Sequence, residues 1–378
     1  MPTDAGHRLF ITRARLGDAH VGPDPDAPAA RPLQPGQARL AVERFSLTAN
    51  NITYAAFGEA MKYWQFFPSG DAALGCLPVW GFATIVESQV EGLAVGRRVW
   101  GYYPAGTHLV VAPSKVSAAG FTDGTAHRQE LAIIYNQYAF CDADPGWTPE
   151  GENLQALLRP LFTTSFLIDD WLADNRFFDA QQVLLSSASS KTAVGTAHSL
   201  ALRRGTPGAP KVIGLTSAGN MEFTRSLGCY DAVLPYEALE TLPADVPAVY
   251  VDFSGDAALR QRIHTHFGER LMFSSSIGGT HWEALGSARD LPGPRPTLFF
   301  APAQAKLRSA PPPDGWGAAE MQRRLGAAWL GFIRRVAEGD WVEVVERPGA
   351  QAALKAYGEM LAGRTDARQG LMLAMQAN

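Results

Sequence analysis

Cysteine is scarce in this chain: three in 378 residues, Cys76, Cys141 and Cys229, far apart and with no Cys-x-x-Cys spacing. An odd, scattered set excludes a disulfide framework and a zinc site built from thiolates, and leaves three small apolar side chains for the core. Runs of Lys or Arg are missing too, and 33 basic residues against 37 acidic ones leave a net charge of −4. Such a surface offers no footprint for nucleic acid or for an anionic membrane. No apolar run reaches membrane-spanning length, and the first ten residues mix acidic and polar groups where an export signal has a cationic start and an apolar stretch. The expectation is a cytoplasmic protein whose partner is a small-molecule substrate, with neither nucleic acid nor membrane. Signatures of hydrolysis are absent as well: there is no Gly-x-Ser-x-Gly, no Gly-Lys-Ser/Thr of a Walker loop, and no Ser-x-x-Lys ending at Lys191, because position 188 is Ala. Acyl-enzyme and NTP-hydrolysing chemistry have no support.

What is present is ample for buried cores: 46% of residues are hydrophobic and 19% charged, at a length that suits two domains. From 38 to about 116 the pattern is strand and turn, with alternation at 38–48 and 82–90 and punctuation by Gly92, Gly96, Gly101 and Gly106. Residues 153–301 instead alternate β-rich runs (183–187, 211–217, 248–254, 270–278, 297–301) with helical patterns (193–204, 221–228, 257–267). Strands separated by helices imply right-handed crossovers and a doubly wound parallel sheet, so the fold class is α/β. The tail carries a Pro-rich loop at 309–317, an amphipathic helix at 321–339, a strand at 341–349 and a last helix near 352–361. Residues 23–36 read as a Pro/Ala loop.

Residues 183–195 hold the most chemistry. Val183, Leu184 and Leu185 read as a buried strand, and Ala193, Ala197, Leu200 and Ala201 recur at helical spacing, so Ser186 to Thr192 form a strand-to-helix turn. Free backbone N–H groups at such a helix start attract an anion. Gly-x-Gly-x-x-Gly, the usual answer to close approach by a pyrophosphate, is absent, and Ala and Ser meet that need in part. Lys191, with the hydroxyls of Ser189, Ser190 and Thr192, reads either as a charge on a phosphate or as an exposed lysine beside a Ser189 or Ser190 helix cap.

The order of the blocks and several passages resemble the medium-chain dehydrogenase/reductase superfamily, nearly end to end. Residues 81–104 resemble its "aGvVeavGsgVtgfkvGDrVwgy" passage, with Gly81, Val86, Glu87, Gly92, Gly96, Arg98, Val99 and Gly101 in register and Arg97 where Asp is usual. Residues 159–172 are similar to the helix entering the nucleotide domain, and 225–236 to the "r.lGaD.vi.y" passage. The Ser-rich turn and Gly279-Thr280-His281-Trp282 resemble an uncharacterised bacterial branch. The resemblance implies a GroES-like β-rich catalytic domain from 1–154 and 302–378, a Rossmann-type nucleotide-binding domain from 155–301, and a ligand cleft between them. Zinc-dependent members hold their metal with a Cys, a Gly-His-Glu segment and a later Cys or carboxylate. This chain has Ser46, Leu47, Thr48, Ala49, Asn50 and Asn51 at the first ligand's place and no Gly-His-Glu, so no metal is expected and the zinc-free quinone and enoyl reductases are the better likeness.

An NAD site places an acid at the end of the second strand to bond the ribose 2′-hydroxyl. Gly214 to Asn220 contains none, which favours NADP. The expected cofactor residues are Ser187, Ser189, Ser190, Lys191 and Thr192 at the pyrophosphate, Thr216, Ser217 and Asn220 at the 2′-phosphate, and Phe253, Ser254, Ile277 and Gly278 on the nicotinamide side. Arg225 is a further source of charge. Tyr54, Tyr135 and His281 are the candidate catalytic proton donors, each equally readable as an ordinary packing or hydrogen-bonded side chain. Asn136, Gln137 and Tyr138 form a polar-aromatic cluster with Tyr135. The expected activity is NADPH-dependent, zinc-free reduction of a carbonyl or activated alkene by hydride transfer. The alternative is a member that has lost dinucleotide redox chemistry and binds another anionic ligand or acts as a lyase; a non-catalytic partner-binding protein is a third class. Strand 297–300, expected at the sheet edge, makes a homodimer the expected assembly.

Overall fold

The computed structural model describes residues 6–277 and 291–376. The chain divides into two compact units, one of residues 1–157 with 342–378 and the other of residues 158–341.

The first unit is β-rich. A sheet of nine strands follows the order Glu343–Pro348, Gln369–Ala374, Ala38–Leu47, Pro78–Ser88, Arg98–Pro104, Gln137–Phe140, Gly120–Asp123, Pro113–Ser114, with His108–Val111 also paired to Ala38–Leu47. Ala19–Pro23, His7–Thr12 and Leu74–Cys76 form a smaller antiparallel sheet. The alternation read at 38–48 and 82–90 places Leu40, Val42, Ala83 and Ile85 in one core, which Phe45, beyond a register shift, and Val79 join. All pairings in the large sheet are antiparallel except Glu343–Pro348 with Gln369–Ala374, whose crossover is the helix Ala350–Leu361. The Pro/Ala loop after Pro23 is pinned by the buried Arg8, whose Nη2 lies 2.7 Å from Asp24 and 2.9 Å from Asp26.

The second unit is a parallel sheet of six strands ordered Ala232–Pro235, Lys211–Thr216, Gln182–Leu185, Ala248–Asp252, Leu271–Ile277, Thr297–Phe299. In chain order this is 3-2-1-4-5-6, a doubly wound sheet whose direction of winding reverses between Gln182–Leu185 and Ala248–Asp252. The carboxyl ends of those two strands are therefore where a ligand is expected. The mixed α/β class, with one parallel and one β-rich sheet, is as the sequence implies.

Two sequence expectations change. Ala232–Pro235 is a strand that periodicity did not single out. Residues 302–341, assigned by resemblance to the catalytic domain, fall in the second compact unit. Their helix Ala318–Glu338 buries Met321, Trp329, Phe332 and Val336, and Phe332 stacks on Phe162 at 4.5 Å. The preceding helix Ala301–Ser309 is tied in by Arg308 and Gln304, each 2.7 Å from Asp170. Among the described residues no helix is long and apolar enough to cross a membrane.

Candidate functional site

At the end of strand Gln182–Leu185 the chain turns through Ser186 to Ser190 into the helix Lys191–Ala201. Ser187 sits at φ +48°, a left-handed conformation that glycine adopts freely and serine at a cost. The turn a glycine would make is thus still made. Ser190 occupies the N-cap position, but its side chain makes no cap hydrogen bond, and its buried Oγ has no partner among the described residues. The capping alternative is not realised. Lys191, expected to be exposed, is half-buried as the first helical residue, and Thr192 beside it is half-buried too. The Thr192 carbonyl accepts from Ser165 Oγ at 2.7 Å. Gly195, one turn on, permits this contact: a Cβ there would lie 2.7 Å from Ser165 Oγ.

Ser189, Thr216 and Asn220 come together, but toward one another. Asn220 Nδ2 donates to Ser189 Oγ at 3.1 Å and Thr216 Oγ1 lies 3.4 Å from it. Ser217, next in the chain after Thr216, is exposed, and so is Arg225 in the last turn of helix Met221–Ser226. The strand end carries no acid, as read. Two tyrosines that sequence reasoning missed brace the turn. Tyr230 Oη donates to the Ala188 carbonyl at 2.7 Å, and the Ser187 N–H donates to Tyr236 Oη at 3.1 Å. Tyr236 also lies within hydrogen-bond reach of the Ser187 side chain.

On the other side of the reversal, Asp252 organises the strand end. Its Oδ1 accepts from Ser186 Oγ at 2.9 Å, Ser254 N at 3.0 Å, Ser254 Oγ at 2.8 Å and Gly255 N at 3.0 Å. Its Oδ2 meets Arg260 Nη2 at 2.9 Å. Ser186 Oγ in turn accepts from the N–H groups of Phe253 and Ser254. Phe253 and Ser254 are thus fixed beside the Ser-rich turn. Strand Leu271–Ile277 ends at Ile277, half-buried, and carries Ser275 and Ser276, whose buried hydroxyls have no partner. Gly278 and His281, with Gly279, Thr280 and Trp282, lie outside the described residues.

In the β-rich unit, Tyr54 on helix Ala49–Ala56 and Tyr135 on the turn Ile133–Asn136 do meet, at 6.2 Å between ring centroids. Tyr63 and Tyr102 join them: Tyr54–Tyr63 is 4.6 Å and Tyr102–Tyr135 is 4.7 Å. Tyr63 and Tyr135 hydroxyls are 3.4 Å apart, and Tyr102 Oη is buried without a partner. Burial pushes all four phenols up from their ordinary pKa, so each stays protonated near neutral pH. The neighbouring cluster has a different task. Arg128, buried, bonds Asp123, Asn136 Oδ1, Tyr138 Oη and the Tyr135 carbonyl, which holds Tyr135 in place. Where a first zinc ligand would stand, the Thr48 N–H donates to Asn51 Oδ1 at 2.7 Å and Asn51 Nδ2 to the Pro78 carbonyl at 2.9 Å. These are helix-start contacts. The three cysteines are free and buried.

Comparison with known proteins adds a family and a fold. Residues 45–366 match the family model described as Protein of unknown function (DUF2855). The chain belongs to that family. No curated protein matches it. Among solved structures, CurA from Vibrio vulnificus in complex with NADPH aligns over 98% of this chain and 100% of its own, at 11% identity and a TM-score of 0.58. The human synaptic vesicle membrane protein VAT-1 homolog-like protein covers 99% of both at 12% identity and a TM-score of 0.55. The quinone oxidoreductase from Coxiella burnetii covers 98% and 99%, at 13% identity and a TM-score of 0.52. The fold is that of the medium-chain dehydrogenase/reductase superfamily.

Proposed function

We propose that this protein is an NADPH-dependent, zinc-free oxidoreductase that reduces a carbonyl or activated alkene of a small molecule by hydride transfer. The observation that carries the reading is the buried, unpartnered Ser190 Oγ at the start of helix Lys191–Ala201. A buried hydroxyl left unpaired is costly, and a helix start collects N–H groups that favour an anion. A pyrophosphate oxygen answers both. Lys191 and Thr192 would stand at that anion. Ser217, at a strand end without an acid, suits a 2′-phosphate better than a bare 2′-hydroxyl, and Arg225 on the helix that follows is a further source of charge. Phe253, Ser254 and Ile277 stand at the strand ends expected on the nicotinamide side. The neighbour CurA was solved with NADPH, which supports a dinucleotide on this fold.

When bound, the nicotinamide supplies the hydride. A phenol kept protonated by burial, Tyr54 or Tyr135, is the candidate source of the proton that balances it. Residues 46–51, taken up by hydrogen bonds around Thr48 and Asn51, support a zinc-free site.

A second reading has its own observation: the Ser187 N–H is already engaged by Tyr236 and the glycine fingerprint is absent. A protein that binds another anion in the same turn, or acts as a lyase, fits those facts. Thermal unfolding separates the two. NADPH at 100 times its dissociation constant stabilises a binder by about 2.7 kcal/mol. No shift with NADPH, together with a shift from another anion, overturns the reductase reading.

A further inference from the structure

Ser187 holds a φ of +48° in a strand-to-helix turn where a dinucleotide fingerprint uses glycine to make the bend tight. For an L-residue other than glycine the left-handed region is disfavoured by a factor of about 5 to 30, so the conformation needs support. The Ser187 carbonyl accepts from the Ser190 N–H at 2.8 Å, which is an ordinary turn bond. The second support comes from 49 residues away: the Ser187 N–H donates to Tyr236 Oη at 3.1 Å, and the same phenol lies within hydrogen-bond reach of the Ser187 side chain. Tyr236 is itself anchored. It follows strand Ala232–Pro235, whose Pro235 pairs with Thr216, and its carbonyl accepts from Arg262 Nη2 at 3.0 Å. The phenol thus reaches from the edge of the parallel sheet, across Lys211–Thr216, to the turn that ends Gln182–Leu185.

We propose that Tyr236 is a positioning residue that locks Ser187 in the left-handed conformation, so that a turn without glycine presents Ser190 and the helix start to an anion as a glycine turn does. The inference rests on the reading of this turn as the phosphate site, and it applies to a dinucleotide and to another anion alike. With the lock removed, Ser187 keeps the left-handed conformation in only about one molecule in 5 to one in 30. Since that fraction alone is competent to bind, the apparent dissociation constant of the anion rises by the same factor. Glycine at 187 needs no lock, because it adopts positive φ about as readily as negative. A phenol that touched the anion itself would be missed whatever stands at 187. A lock becomes dispensable once 187 is glycine.

The test uses the full chain and two probes, NADPH and inorganic pyrophosphate, with Tyr236→Phe, Ser187→Gly and the double variant. By titration calorimetry, Tyr236→Phe is expected to weaken binding about 5- to 30-fold, and the double variant to bind as tightly as Ser187→Gly alone. Thermal unfolding separates this from a general effect on the fold, since the double variant still lacks the Tyr236 bond and its stability does not return with its binding. In a crystal structure of Tyr236→Phe, Ser187 is expected outside the left-handed region. A double variant that binds as weakly as Tyr236→Phe overturns the proposal, and so does Ser187 still left-handed without the phenol. Wild type that binds pyrophosphate but not NADPH counts against the reductase reading instead, and the rescue is then read on pyrophosphate. Wild type that binds neither removes the turn as an anion site, and the lock's role falls with it.

Discussion

Asp252 and Arg260 form an ion pair of 2.9 Å, 1% and 5% exposed at their side chains. Through its other oxygen, Asp252 fixes Ser186 at 2.9 Å, so one carboxylate ties the strand before the Ser-rich turn to the strand end that carries Phe253 and Ser254. Removing one partner of a buried pair leaves the other uncompensated and costs about 3–5 kcal/mol. Asp252→Ala is therefore expected to lower stability by about that amount in urea unfolding. A loss below 1 kcal/mol would show that the pair is not holding this end of the sheet.

His198 sets a pH limit on the same unit. It is 8% exposed, its ring meets Phe332 at 5.2 Å and Trp341 at 6.3 Å, and burial, with Arg335 nearby, lowers its pKa to about 4. An unfolded histidine titrates near 6.5. Between these values the unfolded chain binds a proton that the folded one refuses, so stability falls as pH drops from about 6.5 toward about 4. His198→Phe removes this contribution. Its stability, followed by denaturant midpoint across that window, should fall less steeply than the wild type's; parallel curves would sink the assignment.

How far the residues announced this architecture depends on the range over which each signal acts. Five of the six parallel strands were legible because each is a short apolar run between helical patterns. Ala232–Pro235 was not, since it is an apolar run of only four residues that ends in proline, too short for periodicity to tell a strand from a loop. The amphipathic period of Ala318–Glu338 predicts a buried face but not what covers it; the cover is Phe162, stacked on Phe332 within the second compact unit. At the site, the turn from Ser186 to Thr192 was readable from strand, hydroxyl and helix signals in sequence. The partners from afar were not: Tyr230, Tyr236 and Arg260 reach the turn and the Asp252 strand end by tertiary contacts that no local spacing encodes.

Strand Thr297–Phe299 ends the six-stranded sheet, and Leu298 and Phe300 are 41% and 46% exposed. An apolar, unpaired edge is a template for pairing with another chain. A homodimer through this edge is the expected assembly, and Leu298→Lys, which puts a charge on it, should shift the protein toward monomer. Light scattering at high concentration decides: a wild-type monomer removes the edge as a pairing surface.

Ser190 and Lys191 carry the last prediction, and they are informative as a pair. Ser190 Oγ has no partner while buried, so Ser190→Ala removes an unsatisfied group, and folding stability should hold or rise. If a pyrophosphate oxygen takes that hydroxyl, NADPH affinity should instead fall by about 1.5–3 kcal/mol, the range for a hydrogen bond to a charged group. Stability and binding then move in opposite directions, which a general loss of structure does not produce. Lys191→Ala should cost a similar amount of affinity through its charge. Lys191 is half-buried, so its stem also packs, and a modest loss of stability accompanies the loss of binding. Titration calorimetry with NADPH, run beside thermal unfolding, measures both. If both variants bind as tightly as the wild type, the turn at Ser190 is not where the phosphates sit.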